Sequence, residues 1–143
     1  MRYYETLDIQ IHRYLMSNVL LIHNGKREGL MIDRLLSARG IACVCFDLEE
    51  FHPEFLLAEM FDLIIFELSG DNRSCVAILK ELERWATTSG IEHPPVIVVT
   101  EDNSEQIEQA VRAAKINFFF VKPVTEAEMI SAIDQSLQLN SIM

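Results

Sequence analysis

"FDLIIFELSG", residues 61–70, decides how the chain is read. Its centre, Leu63, Ile64, Ile65 and Phe66, is an unbroken apolar run between Asp62 on one side and Glu67, Ser69 and Gly70 on the other. A short run without polar alternation fits a strand covered on both faces, as in a parallel sheet between helices. Glu67 then stands at the carboxyl end of the strand, where open parallel sheets gather their working groups.

Working outward, the same pattern recurs on both sides. "NVLLIH" (18–23), "IACVCF" (41–46), "DLIIFE" (62–67), "PVIVVT" (95–100) and "FFFVK" (118–122) are predicted strands. Helical spacing fills the intervals. Residues 27–39 carry Leu30, Leu35, Leu36 and Ala38 as an apolar stripe, closed by Gly40 as a C-terminal signal. Pro53 suits the first turn of a short helix over 53–60, and 74–88 places Ile78, Leu79, Leu82 and Trp85 on one face. Residues 104–115 show Ile107, Ala110, Val111 and Ala114. The last helix, 126–139, follows Thr125 and Glu128 at capping-box spacing and carries Met129, Ile130, Ile133 and Leu137. Five strands alternating with five helices predict an α/β fold: a doubly wound, five-stranded parallel sheet with helices on both faces and right-handed crossovers. Residues 1–17 are an N-terminal extension, read as a helix from the spacing of Tyr4, Leu7, Ile11 and Tyr14 although "DIQIH" (8–12) alternates like a strand, and 18–143 form one domain.

Composition narrows the function. The 143 residues are half hydrophobic and carry a net charge of −10, which repels nucleic acid and anionic membrane surfaces alike. No apolar run approaches the roughly 20 residues a membrane span requires, and Arg2, Glu5 and Asp8 interrupt any signal-peptide pattern. The expected location is therefore cytoplasmic. Of three cysteines, Cys43 and Cys45 lie two apart in a predicted strand, a poor disulfide geometry, and are expected as buried reduced thiols. "NGKREG" (24–29) lacks P-loop spacing, the loop after the first strand lacks the Ser/Thr/Gly content of a flavin site, and no G-x-S-x-G elbow occurs.

At the predicted strand ends stand His23 and Asn24, Glu67, Thr100 with Glu101, and Lys122 before Pro123. A carboxylate, a hydroxyl and a lysine from three strands converge on one place. Together "NVLLIHN", "FDLIIFELSG", "PPVIVVTED" and "AAKINFFFVKPVTEAEM" resemble the receiver domain of two-component response regulators, over roughly residues 18–139. The Lys-Pro pair before a capped terminal helix is the most specific element. The resemblance implies the flavodoxin-like receiver fold and a signalling role. In that family an Asp at the third strand end accepts phosphate, an acidic pair after the first strand binds Mg²⁺, and a Ser or Thr and a Lys contact the phosphoryl group.

In this chain Glu67 takes the acceptor position, His23 and Asn24 the acidic pair, Thr100 the hydroxyl, Lys122 the lysine and Phe119 the aromatic that reports the switch state. Mg²⁺ demands near-octahedral oxygen ligation, usually with carboxylates, and here Glu67 against Lys122 leaves the site close to neutral. Glu67 also sets its carboxylate one methylene further out than Asp would. The site is therefore expected as a degenerate phosphoacceptor pocket holding neither metal nor cofactor, with Glu67 a fixed partner of Lys122. The function that follows is a non-enzymatic, phosphorylation-independent signalling module that contacts a protein partner. It could serve as the N-terminal regulatory domain of a transcription regulator. A receiver phosphorylated through atypical ligands and a small-ligand module reusing the pocket are the competing readings. A two-fold homodimer is expected through residues 1–17 and the surface of 104–115, 118–122 and 126–139, because that first segment carries more apolar surface than a free tail should.

Overall fold

The computed structural model describes residues 17–24, 26–52, 61–69, 76–77, 79–81, 83–84, 94–101, 105–113 and 116–142. The predicted helices over 1–17 and 53–60 thus lie, but for Ser17, outside the described residues. Five strands form one sheet: β1 (Asn18–His23), β2 (Ala42–Asp47), β3 (Leu63–Leu68), β4 (Val96–Thr100) and β5 (Phe118–Val121). Around them lie α1 (Lys26–Ala38), α2 (Glu105–Ala113) and α3 (Glu126–Ile142), and the described residues between 76 and 84 are also helical. All pairings are parallel and the strand order is β2-β1-β3-β4-β5. This is the flavodoxin-like doubly wound order, with the chain turning back on either side of β1.

Strand pleating divides the core into two layers. Leu20, Ile22, Ile64, Phe66, Leu68, Val96 and Val98 point to one face, where Leu79 and the α2 residues Ile107, Ala110 and Val111 cover them. Val19, Leu21, Leu63, Ile65, Ile97 and Val99 point to the other, under Ile32 and Leu36 of α1 and Met129, Ala132, Ile133 and Leu137 of α3. The buried stripe of α1 differs from the expected one. Ile32 and Leu36 lead it at i, i+4 spacing, Leu35 is half-buried at its flank, and Ala38 faces solvent in the last turn.

Local signals close the helices. Gly40, at φ 73°, ends α1: its N–H donates to Ser37 O at 3.0 Å and the Ile41 N–H to Leu36 O at 2.9 Å. Those two bonds, with Leu36 and Ile41 buried together, make a Schellman cap whose left-handed position suits glycine. At α3 the Glu128 N–H donates to Thr125 Oγ1 at 3.1 Å while the Thr125 N–H donates to Glu128 Oε1 at 3.2 Å. This is the reciprocal capping box. The Arg39 guanidinium reaches both carboxylate oxygens of Asp134, at 3.0 and 2.9 Å, and ties the end of α1 to α3.

The edges depart from the expectation of strands covered on both faces. β2 has no fully buried residue, and β5 is half-buried along Phe118–Phe120 with Val121 exposed. Cys43 and Cys45 share a face of edge strand β2; Cys43 is half-buried and Cys45 exposed, so the thiols are not the buried pair expected. The cause is strand order. Residues 41–46 are apolar enough for a central strand, yet they have a neighbour on one side only.

Candidate functional site

The carboxyl ends of β1, β3, β4 and β5 bring together the residues that the sequence singles out. Parallel register sets Glu67 beside His23 on β1, and Leu68 beside Thr100 on β4. Thr100 is fully buried and its carbonyl accepts the Lys122 N–H at 2.8 Å, so the end of β4 fixes the backbone from which Lys122 projects. The bond from Lys122 to Pro123 is cis. Glu101, next in line, is exposed.

Lys122 Nζ makes an ion pair with Glu67 Oε1 and donates a hydrogen bond to Ser69 Oγ at 3.1 Å. The pair is enclosed: the Glu67 side chain is 1% exposed and that of Lys122 10%. Burial drives both groups toward neutrality. It pushes Glu67 up to about 7, with repulsion from Glu101 adding to the effect, and brings Lys122 down to about 8. Their mutual attraction opposes both shifts. Contact with the ammonium is electrostatic: neither Glu67 oxygen accepts a well-directed hydrogen bond among the described residues, and His23 Nδ1 is likewise buried without one. Among the described residues, a charge so placed has its counter-ion Lys122 to set against the cost of desolvation.

Asn24 has a role that sequence reasoning did not assign. Its Nδ2 donates to Ser69 O at 2.9 Å, its Oδ1 accepts the Ser69 N–H at 2.6 Å, and its own N–H donates to Glu67 O at 3.3 Å. The amide thus clasps the loop that leaves β3 to the loop that leaves β1. Both ends of the side chain are used, one as donor and one as acceptor, which no carboxylate could match. Ser69, also absent from the sequence-level list, is the link between this clasp and Lys122. Its one signal is its place two residues beyond Glu67. Asp47 is a second omission: it ends β2 in register with His23, and its Oδ1 accepts the Glu49 N–H at 3.0 Å, closing an Asx turn.

Phe119 packs against the core layer beneath α2 and is half-buried. Phe118 and Phe120 point the other way, with stacked rings 6.4 Å apart. With Ala127, Glu128, Ser131 and Ala132 of α3 they line an open groove of about 410 Å³. The Glu67 pocket and this groove are separate: none of the groove's lining residues belongs to the strand-end cluster.

No family model matches the chain. The sensory/regulatory protein RpfC of Xanthomonas campestris pv. campestris is 24% identical over 115 residues, and the match spans 80% of this chain but 16% of that protein. Among solved structures, the signal receiver domain of an HD-domain-containing protein from Pseudomonas fluorescens Pf-5 superposes with a TM-score of 0.70 at 20% identity, covering 90% of this chain and 99% of that one. A CheY-like response regulator receiver domain protein from Methanospirillum hungatei JF-1 gives 0.71 at 16% identity, covering 89% and 98%. No described helix is long and apolar enough to cross a membrane. Strand order, the two core layers and these superpositions agree: the chain has the fold of response regulator receiver domains.

Proposed function

We propose that the chain is a receiver-like signalling module that works through protein–protein contact and does not depend on an acyl phosphate at Glu67. The observation that carries this reading is the enclosed Glu67–Lys122 pair, with Glu67 1% exposed. An acceptor carboxylate must offer an oxygen in line with the leaving group, and positioning with charge neutralisation is most of phosphoryl-transfer catalysis. Here the carboxylate is screened from solvent and the lysine that would meet the phosphoryl oxygens already holds Glu67 and Ser69. Asn24, at one of the two acidic positions, spends both amide ends on Ser69 and brings no negative charge for Mg²⁺. When ionised, Glu67 supplies one negative charge, where a phosphoryl group would bring nearly two. The likeness to RpfC, a sensory/regulatory protein, supports a signalling role.

The contact face we assign is that of α2, β5 and α3, where edge strand β5 leaves Val121 exposed and the Phe118/Phe120 groove open. Its first occupant is a second copy of the chain in a two-fold dimer that includes residues 1–17. Incubation with acetyl phosphate and Mg²⁺, followed by intact-mass measurement, tests the central claim. The expected result is no phosphoryl adduct. An acid-labile adduct that disappears in Glu67→Gln would overturn it, and the reading would pass to a receiver phosphorylated through unusual ligands.

A further inference from the structure

Edge strand β2 carries a second cluster, away from the Glu67 pocket. Cys43 and Cys45, two residues apart on an extended strand, fall on one face, the face that α1 covers. Their sulfurs are 3.7 Å apart. Asp33, next to the buried Ile32 on α1, lies against them: one carboxylate oxygen and the two sulfurs are all within 4.8 Å of one another. We propose that Asp33, Cys43 and Cys45 form a binding site for a thiophilic divalent cation of the Zn²⁺ class, with a fourth position open to water or an external ligand.

The distances carry the assignment. Two thiolate sulfurs at about 2.3 Å from a tetrahedral Zn²⁺ stand about 3.8 Å apart, so the observed separation fits chelation without movement of the strand. A disulfide would require about 2.05 Å, and residues two apart on a strand are about 6.6 Å apart at Cα, near the upper limit for such a bond. The donor set selects the metal. Two soft thiolates disfavour Mg²⁺ and Ca²⁺, which prefer six or more oxygens, and favour the d¹⁰ cations. Two thiolates and a carboxylate also offset a divalent charge, in a chain whose net charge of −10 draws cations toward it.

Access and support are both present. Cys45 is exposed, which leaves one side of the cluster open for entry and for the fourth ligand. Cys43 and Asp33 are half-buried and held by packed elements, Cys43 among the residues under α1 and Asp33 beside Ile32. Three ligands from a strand and a helix, with one position open, is the pattern of a site that binds or exchanges metal rather than of one that holds the fold together.

Titration of the reduced full chain with Co²⁺, read by thiolate-to-cobalt charge-transfer absorption, and with Zn²⁺ against a competing chelator tests the proposal. One equivalent is expected to saturate the band. Cys45→Ser, at an exposed position where the fold is retained by circular dichroism, should remove the band and weaken Zn²⁺ by more than the ~10–100-fold that loss of an outer-shell partner costs. Asp33→Asn should keep the band and weaken Zn²⁺ about tenfold or more. Absence of the band in the native chain overturns the proposal. So does a band that survives Cys45→Ser, including one removed only by substitution of the third cysteine, Cys75→Ser, and Zn²⁺ affinity unchanged in Asp33→Asn overturns the three-ligand set.

Discussion

Strands β3 and β2 each carry a cluster of chemically able side chains, in opposite settings. On β3 all six residues are buried, Glu67 included. On β2 none is fully buried, and the thiols, half-buried at Cys43 and exposed at Cys45, lie beside Asp33. Both segments are apolar runs of similar length, so the difference lies in their places in the sheet: β3 has a neighbour on each side, β2 only β1. A central strand end can hold a charge away from water, where its state depends on one partner. An edge strand leaves its side chains able to exchange with solvent. The first setting suits an enclosed, pH-dependent ion pair and the second a site that takes up a ligand.

Truncation of matched aromatics tests this contrast at its largest. Phe66→Ala on β3 empties a fully buried site and should cost about 3–5 kcal/mol. Phe46→Ala on β2, where the ring is half-buried against the same core layer, should cost about half as much. Urea midpoints at constant m-value measure both. Equal costs would show that β2 is as enclosed as β3.

The next effect is electrostatic and depends on pH. Glu67, raised to about 7 from an ordinary value of 4.5, keeps in the folded state a proton that the unfolded chain releases. Its contribution is therefore fully present below about 4.5 and is lost as pH rises through about 7. Lys122 has the opposite sign: lowered to about 8 from 10.5, it releases a proton that the unfolded chain keeps, so stability recovers as pH rises above about 8. The pair thus produces a minimum in stability between the two values. Lys122→Met leaves Glu67 buried without a counter-ion and should cost about 3 kcal/mol at pH 8, shrinking as pH falls toward 5. In Glu67→Gln/Lys122→Met both the minimum and most of that cost should disappear. Denaturant melts across pH read all of these, and a flat profile in the native chain would mean the pair is solvated.

These tests also mark where the sequence was legible. β1 occupies residues 18–23 as its apolar run predicts, and the Gly40 and Thr125–Glu128 signals end and begin their helices as read. Such features depend on residues within a few positions of each other. Whether a strand is central or an edge depends on chain order in space, which no local run encodes, so the exposure of β2 was not foreseen. The Asn24–Ser69 clasp joins residues 45 apart, and Asp33 meets Cys43 and Cys45 only once α1 is laid over β2. The family pattern has a carboxylate at position 24, so the resemblance makes Asn24 a lost metal ligand. Its actual role follows from the amide's having both a donor and an acceptor.

That role gives the smallest effect and the most local one. Asn24→Ala removes both side-chain bonds to Ser69, each net about 0.5–1.5 kcal/mol at most and less at an exposed site, so the expected loss is about 1 kcal/mol. The backbone bond from Asn24 N–H to Glu67 O remains to hold the strand ends together. Hydrogen exchange at the Ser69 amide should quicken, since its acceptor is gone, while the β3 amides behind it stay protected. Asn24→Asp separates geometry from charge. It keeps an acceptor for the Ser69 N–H, loses the donor to Ser69 O, and adds a negative charge near the buried Glu67. Ser69 exchange should then fall between those of the native chain and Asn24→Ala, while the Glu67 transition moves to higher pH because a second carboxylate opposes its ionisation. If Asn24→Asp leaves that transition in place, residue 24 does not couple to the ion pair, and the loop clasp and the fixed charge are independent features of the same strand end.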